Sequence, residues 1–313
     1  MSEETIFVSI ASYQDDMLKL TIADALAKAK YPNRIKFGVV EQRESLRRIN
    51  PDVYARKQIR YVGVEPEDSR GVCWARSVCM SLYQNEDWFF QIDSHMLFDP
   101  HWDEWYIDQC KQLEDVCKKP IISGYPKSFR LEKNLAIREI ENGARVHLIP
   151  KDAKFVDNAL IIFIGAELLK LTKPVKAWHA AAGCLFTRGN FINEIPYDPQ
   201  IYFEGEEQTI GLRSFTCGWD IYHVPDMPIF HYWSRDKRVL HWDCPTDKKR
   251  YENWASLKVN SLSRVRSVLS GKQLGIYGIG RERTIEDYAN FCGINYANET
   301  INVETYTNTL PKE

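Results

Sequence analysis

The residues Trp88-Phe89-Phe90-Gln91-Ile92-Asp93-Ser94-His95 end an apolar run on two metal-ligand types, Asp93 and His95, spaced i and i+2. In an extended strand these two side chains share a face, so both can close on one cation. In open α/β sheets, ligands bind beyond the carboxyl ends of the strands, where Asp93 is expected. A carboxylate–imidazole pair with open positions suits a divalent ion that also takes diphosphate oxygens. The imidazole favours Mn2+, with Mg2+ the second choice because it prefers oxygen and water. An Asp-x-His taken alone is better explained by a loop-capping Asp and a half-exposed His, and it is the flanking chain that reverses this.

Other segments could complete a site around this pair. Ser9, Ala11, Ser12 and Tyr13 end an early strand with small residues and one ring, a surface on which a nucleotide base can lie and stack; Ser12 or Asp15 could equally cap the next helix. Arg70 and Arg76 bracket the start of a helix, where an anion is already favoured. Small residues around Gly183 leave backbone bare for a sugar. Glu204, Glu206 and Glu207 flank Gly205 before a helical stretch, as acceptors for sugar hydroxyls or as acidic residues at a helix start. His231, between Phe230 and Tyr232, is a third metal-ligand candidate, because Asp93, His95 and two phosphate oxygens leave a six-coordinate ion short of partners. The two aromatic neighbours would hold its imidazole. His223 and His241 stand next in line.

These residues need elements to position them. Strands are expected at residues 5–10, 35–40, 59–64, 88–92 and 121–125, with helices at residues 15–30, 72–83 and 102–117. Such alternation predicts an α/β fold with a mainly parallel sheet. Residues 126–160 are polar and mixed and read as a hairpin or acceptor-side insertion. The expected division is a catalytic core at 1–240, with halves at 1–125 and 126–240, and an aromatic-rich extension at 241–313 packed on it.

Composition excludes several classes. The 313 residues carry a formal net charge of -2 and are 44% hydrophobic, enough for a large core but without a global field for nucleic acid or anionic membrane. No apolar stretch approaches the roughly 18 residues of a membrane span. The acidic start and eight irregularly spaced cysteines without Cys-x-x-Cys predict reduced thiols in a cytoplasmic protein.

In order and context, residues 7–13 (FVSIASY), 70–76 (RGVCWAR), 91–96 (QIDSHM), 182–186 (AGCLF), 203–208 (FEGEEQ), 218–222 (GWDIY), His231 and 274–293 (LGIYGIGRERTIEDYANFCG) resemble the cytoplasmic hydroxyproline N-acetylglucosaminyltransferases, glycosyltransferase family 60. More distantly they resemble the polypeptide GalNAc-transferases. The resemblance spans most of the chain except residues 126–160. It implies a GT-A fold, with a nucleotide-sugar-binding sheet and an acceptor-side half. It also implies a UDP-sugar donor, UDP-N-acetylglucosamine first, and transfer with retention at the anomeric carbon. By the same resemblance Asp93, His95 and His231 hold Mn2+, Arg76 assists the diphosphate, and Ser9, Ser12 and Tyr13 contact uridine. Glu206 or Glu207 would hold sugar hydroxyls or the acceptor, and no covalent nucleophile is assigned. The acceptor is a hydroxyl on a protein, a glycan or a modified DNA base. A non-catalytic UDP-sugar-binding protein is the expectation from another class, against which the intact acidic and imidazole residues stand.

Overall fold

A computed structural model describes residues 4–50, 57–133, 135–139, 144–146, 153–156, 160–161, 167–234 and 238–302. The strands are β1 Ile6–Tyr13, β2 Ile35–Gln42, β3 Ile59–Val64, β4 Trp88–Ile92, β5 Met96–Phe98, β6 Pro120–Ser123, β7 Lys127–Glu132 and β8 Leu135–Arg138. They continue with β9 Ala144–Val146, β10 Phe155–Val156, β11 Leu160–Ile161, β12 Glu167–Leu169, β13 Val175–Ala177, β14 Cys184–Arg188, β15 Asp220–His223, β16 Ile229–His231, β17 Ile294–Asn295 and β18 Thr300–Ile301. The α-helices are α1 Leu18–Lys28, α2 Val72–Met80, α3 Trp102–Glu114, α4 Phe191–Glu194, α5 Glu206–Thr216, α6 Trp254–Leu269 and α7 Ile285–Cys292.

The main sheet has eight strands in the order β13-β15-β6-β14-β4-β1-β2-β3. The half formed by β3, β2, β1 and β4 is parallel, as the βαβ pattern predicts, with Ile6 facing both Ile35 and Trp88. The other half departs from the expected parallel sheet. β14 runs antiparallel between β4 and β6, and β13 runs antiparallel at the edge. This α/β arrangement is buried on both faces. Ile6, Val8 and Ile10 of β1 pack with Leu18 and Ile22 of α1 and Trp102 and Tyr106 of α3. Phe7 faces the opposite way, into a cluster with Trp178, Leu212, Val265, Leu269 and Tyr288. Two-sided burial explains why these strands read as continuous apolar runs.

A smaller sheet, β5-β16-β7-β8, stands beside the first. In it β5 and β16 are antiparallel, with Met96 opposite His231. Several boundaries are shorter than expected. The first helix begins only at Leu18, and α2 and α3 stop at Met80 and Glu114. β1 is longer, continuing to Tyr13, because it pairs with β2 along its whole length. Much of the insertion expected at 126–160 lies outside the described residues; its described part includes the β7–β8 hairpin.

Candidate active site

Strand β4 ends at Ile92, so Asp93, Ser94 and His95 lie in a bend and not on an extended strand. The same-face argument for Asp93 and His95 is therefore corrected. Their approach is made by a turn whose backbone is held from α1. The Thr21 hydroxyl donates to the Ser94 carbonyl at 2.8 Å and accepts from Met96 N–H at 2.9 Å. Asp93 Oδ2 and His95 Nε2 end 4.0 Å apart. The β5–β16 pairing then brings in His231, and Tyr232 N–H donates to the His95 carbonyl at 3.0 Å. His231 Nε2 lies 3.2 Å from Asp93 Oδ2 and 3.0 Å from His95 Nε2.

One ligand atom from each of Asp93, His95 and His231 lies within 4.8 Å of the others. The donor set fits a divalent cation of mixed preference. His95 Nδ1 lies 2.6 Å from Asp15 Oδ2. An imidazole N–H donating to that carboxylate leaves the Nε2 lone pair facing the other two ligands, the usual way an outer carboxylate orients a metal-binding His. Burial lowers the pKa of His231, which keeps its ring neutral, as a ligand requires. Burial alone would raise the Asp93 carboxyl, but His231, Arg76 and His95 together hold it well below the usual carboxylate range.

The expected clasp of His231 by Phe230 and Tyr232 is not what holds it. Strand alternation turns those two toward Phe129 and Leu97 on the other face. The Trp233 ring instead lies 4.0 Å, centroid to centroid, from the His231 ring. Neither of the reserve histidines joins the cluster. Buried His223 contacts the Ser123 carbonyl, and His241 contacts Tyr202 and Ser69.

The cluster opens on a cleft of about 710 Å3 beyond the carboxyl ends of β1, β2 and β4, a volume suited to a nucleotide-sized ligand. Ala11, Tyr13, Arg76, Gly183, Glu206 and Glu207 line it. Ser9 and Ser12 are fully buried outside the lining, and Arg70 is exposed at its margin, also outside the lining. Buried Arg76 donates to Asp93 Oδ1 at 2.9 Å and to Glu206, so its guanidinium joins two cleft carboxylates from α2. A Cβ on Gly183 would stand 2.6 Å from Asp93 Oδ2, so this position needs glycine for the carboxylate to fit.

Gly205, at φ +84°, turns the chain into α5 and places Glu206 and Glu207 in its first turn. The Glu207 carboxylate accepts from Ala182 N–H at 2.7 Å and from the Tyr125 hydroxyl at 3.2 Å. Its pKa is pushed up to about 7 by desolvation, with the Glu206 charge adding to the rise. A carboxyl poised there can hold or exchange a proton with a hydroxyl in the cleft.

Asp15, Tyr125, Trp233 and Arg238 also shape the site. Arg238 Nη1 donates to His95 Nε2 at 2.6 Å, into the lone pair a cation would take, so cation binding there requires this contact to give way. Asp15 carried a signal in the sequence as a helix cap, and its Oδ1 does accept from Met17 N–H at 2.8 Å just before α1, while its Oδ2 is turned to His95 and Ser94. Arg238 carried none, because only the tertiary fold brings residue 238 against residue 95.

The profile of a family described as "Glycosyltransferase (GlcNAc)" matches residues 5–52 and 48–298. No curated protein is significantly similar in sequence. Among solved structures, a crystal structure of GalNAc-T7 with UDP, GalNAc and Mn2+ superposes with a TM-score of 0.59 at 15% identity. That match covers 85% of this chain and 48% of the GalNAc-T7 chain, so the chain spans about half the length of that relative. A crystal structure of S. aureus TarS 1-349 is more distant, with a TM-score of 0.41, 12% identity and coverage of 70% of this chain and 60% of that one. The GalNAc-T7 likeness establishes a GT-A-like α/β fold.

Proposed function

The chain belongs to the glycosyltransferase (GlcNAc) family, and from that premise we propose that it moves GlcNAc from UDP-GlcNAc to an acceptor hydroxyl with retention at the anomeric carbon. The observation that carries the metal-dependent part of this reading is the convergence of Asp93, His95 and His231 at the mouth of the cleft. These three residues would hold Mn2+, or Mg2+ as second choice. A cation held there supplies Lewis-acid stabilisation of the charge that gathers on departing UDP. That the GalNAc-T7 structure contains UDP and Mn2+ in a similar fold supports the same reading.

The remaining roles belong to the chain's own side chains. Ala11 and Tyr13 form the wall against which the nucleoside lies. Arg76 fixes Asp93 and Glu206 relative to each other, and its positive charge would favour the diphosphate. Glu206 and Glu207 hold sugar or acceptor hydroxyls, Glu207 with its proton affinity matched to neutral pH. The acceptor class is a hydroxyl, protein hydroxyproline included, and we assign the catalytic core to residues 1–240.

A screen of UDP-sugars, scoring release of UDP with Mn2+ and with EDTA, tests the reading. Turnover of UDP-GlcNAc above other donors, abolished by EDTA, is the expected result. Equal UDP affinity with and without the metal in calorimetry removes the metal from the proposal.

A further inference from the structure

The cleft wall that includes Tyr13 and Gln42 is braced by a later part of the chain, of which His241 itself lines the cleft and Arg250 stands behind it. Arg250, almost fully buried, donates from Nη2 to the Tyr13 hydroxyl at 2.6 Å. Its other nitrogens donate to the Pro66 carbonyl at 3.2 Å, the His241 carbonyl at 3.0 Å and Asp247 Oδ1 at 2.7 Å. Asp247 Oδ1 also accepts from Trp254 N–H at 2.8 Å, at the first residue of α6. The guanidinium therefore ties the end of β1 to the start of that helix.

His241 supplies a second brace. Its Nδ1 lies 3.3 Å from Arg250 Nη1, which can only donate, and 2.7 Å from the Tyr202 hydroxyl. Nδ1 is therefore the acceptor, and the ring proton sits on Nε2, which donates to Ser69 Oγ at 2.9 Å. Ser69 Oγ in turn donates to Gln42 Oε1 at 2.5 Å, and Gln42 Nε2 donates to the Ser12 carbonyl at 3.1 Å. The His241 ring packs 4.8 Å from the Tyr13 ring and 5.3 Å from the Tyr202 ring. Two chains of bonds thus start at Arg250 and end on residues that line the cleft at the tips of β1 and β2.

We infer that Arg250 and His241 are positioning residues for the nucleoside half of the donor site, setting Tyr13 and Gln42 in the geometry that binds a uridine diphosphate. The inference rests on the proposed UDP-sugar reading of the cleft. Neither residue belongs to the Asp93–His95–His231 cluster, so the device acts on the nucleoside and leaves the cation to its own ligands. An aromatic wall held by a buried fork of hydrogen bonds loses no rotamer freedom when a base stacks on it.

The test compares wild type with Arg250→Lys, which keeps the charge but cannot reach four acceptors at once, and with Tyr13→Phe, which keeps the ring and removes the acceptor of the bond. Calorimetry measures UDP with Mn2+ present, inorganic pyrophosphate with Mn2+ present, and Mn2+ alone. Each variant should weaken UDP by about tenfold, the loss expected of one hydrogen bond to a charged group. Pyrophosphate and Mn2+ affinity should stay within about twofold, and the donor KM should rise more than kcat falls. The double variant should lose little beyond either single one, because both remove the same bond. Tyr13→Phe keeps the packing and so answers the question even where Arg250→Lys lowers stability. UDP affinity unchanged in Tyr13→Phe, or pyrophosphate affinity falling in step with UDP, overturns the inference. Wild-type protein that fails to bind UDP with Mn2+ overturns the donor reading itself, a distinguishable result.

Discussion

At the scale of single residues, Asp93 is held from several sides. It lies against His231 and Arg76, and its neighbour across the backbone, Gly183, has no room for a side chain. Asp15 stands one step further out, on His95. Asp15→Asn should weaken Mn2+ binding by about 10–100-fold, the range typical of an outer partner. His231→Ala should weaken it further, with turnover partly restored by added Mn2+; a titration calorimeter reads both. Normal Mn2+ affinity in His231→Ala would return His231 to the role of a core histidine.

Glu207 makes a prediction with a sign. Its folded pKa, about 7, lies above the usual 4.5, so its contribution to stability is complete below about pH 4.5 and is lost as pH rises to about 7. Glu207→Gln should therefore raise the melting temperature relative to wild type at pH 8 and not at pH 4. Accepting a hydrogen bond or proton from a bound hydroxyl requires the ionised carboxylate, so wild type should show an acid limb near pH 7. The variant should lose roughly 10²-fold or more in kcat, together with that limb. A limb that survives in Glu207→Gln assigns it to another group.

At the scale of elements, the site depends on how strand β4 stops. Residues 93–95 form a bend because Thr21 satisfies backbone groups on both sides of it, which lets β5 start at Met96 and pair with β16. Thr21 is completely buried. Thr21→Val keeps the shape and orphans a buried N–H and C=O, so it should cost about 1–3 kcal/mol in urea denaturation. It should also weaken Mn2+ binding although Thr21 is no ligand. A stable variant with normal metal affinity would show that the β5–β16 ladder suffices by itself.

At the scale of the molecule, the C-terminal helices share a core with the main eight-stranded sheet. Val265, Leu269 and Tyr288 are fully buried in one cluster with Phe7 and Phe89, and the Tyr288 hydroxyl donates to the buried Trp178 carbonyl at 2.7 Å. We therefore expect residues 241–302 to unfold with the core as one unit. Leu269→Ala should lower stability by about 2–5 kcal/mol, with tryptophan fluorescence and near-UV circular dichroism falling together. Two separate transitions would identify an independently folding extension. Among the described residues, no helix is long and apolar enough to cross a membrane.

Local pattern was enough for the α/β class, β3 and β4 to the residue and the helix after Gly205, because each follows from periodicity or from residue types close in the chain; the approach of Asp93 to His95 comes instead from the bend after β4. His231 was legible as a candidate only by counting ligands; its place at the cluster comes from the β5–β16 register, which joins residues 96 and 231. The antiparallel insertion of β14 was hidden, since a strand buried on both faces reads the same in either direction. The clasp by Trp233, the contact from Arg238 and the brace by Arg250 were equally hidden. A side chain's type tells what it can bond, but only the packed sheet and helices decide which partner comes within 3 Å of it.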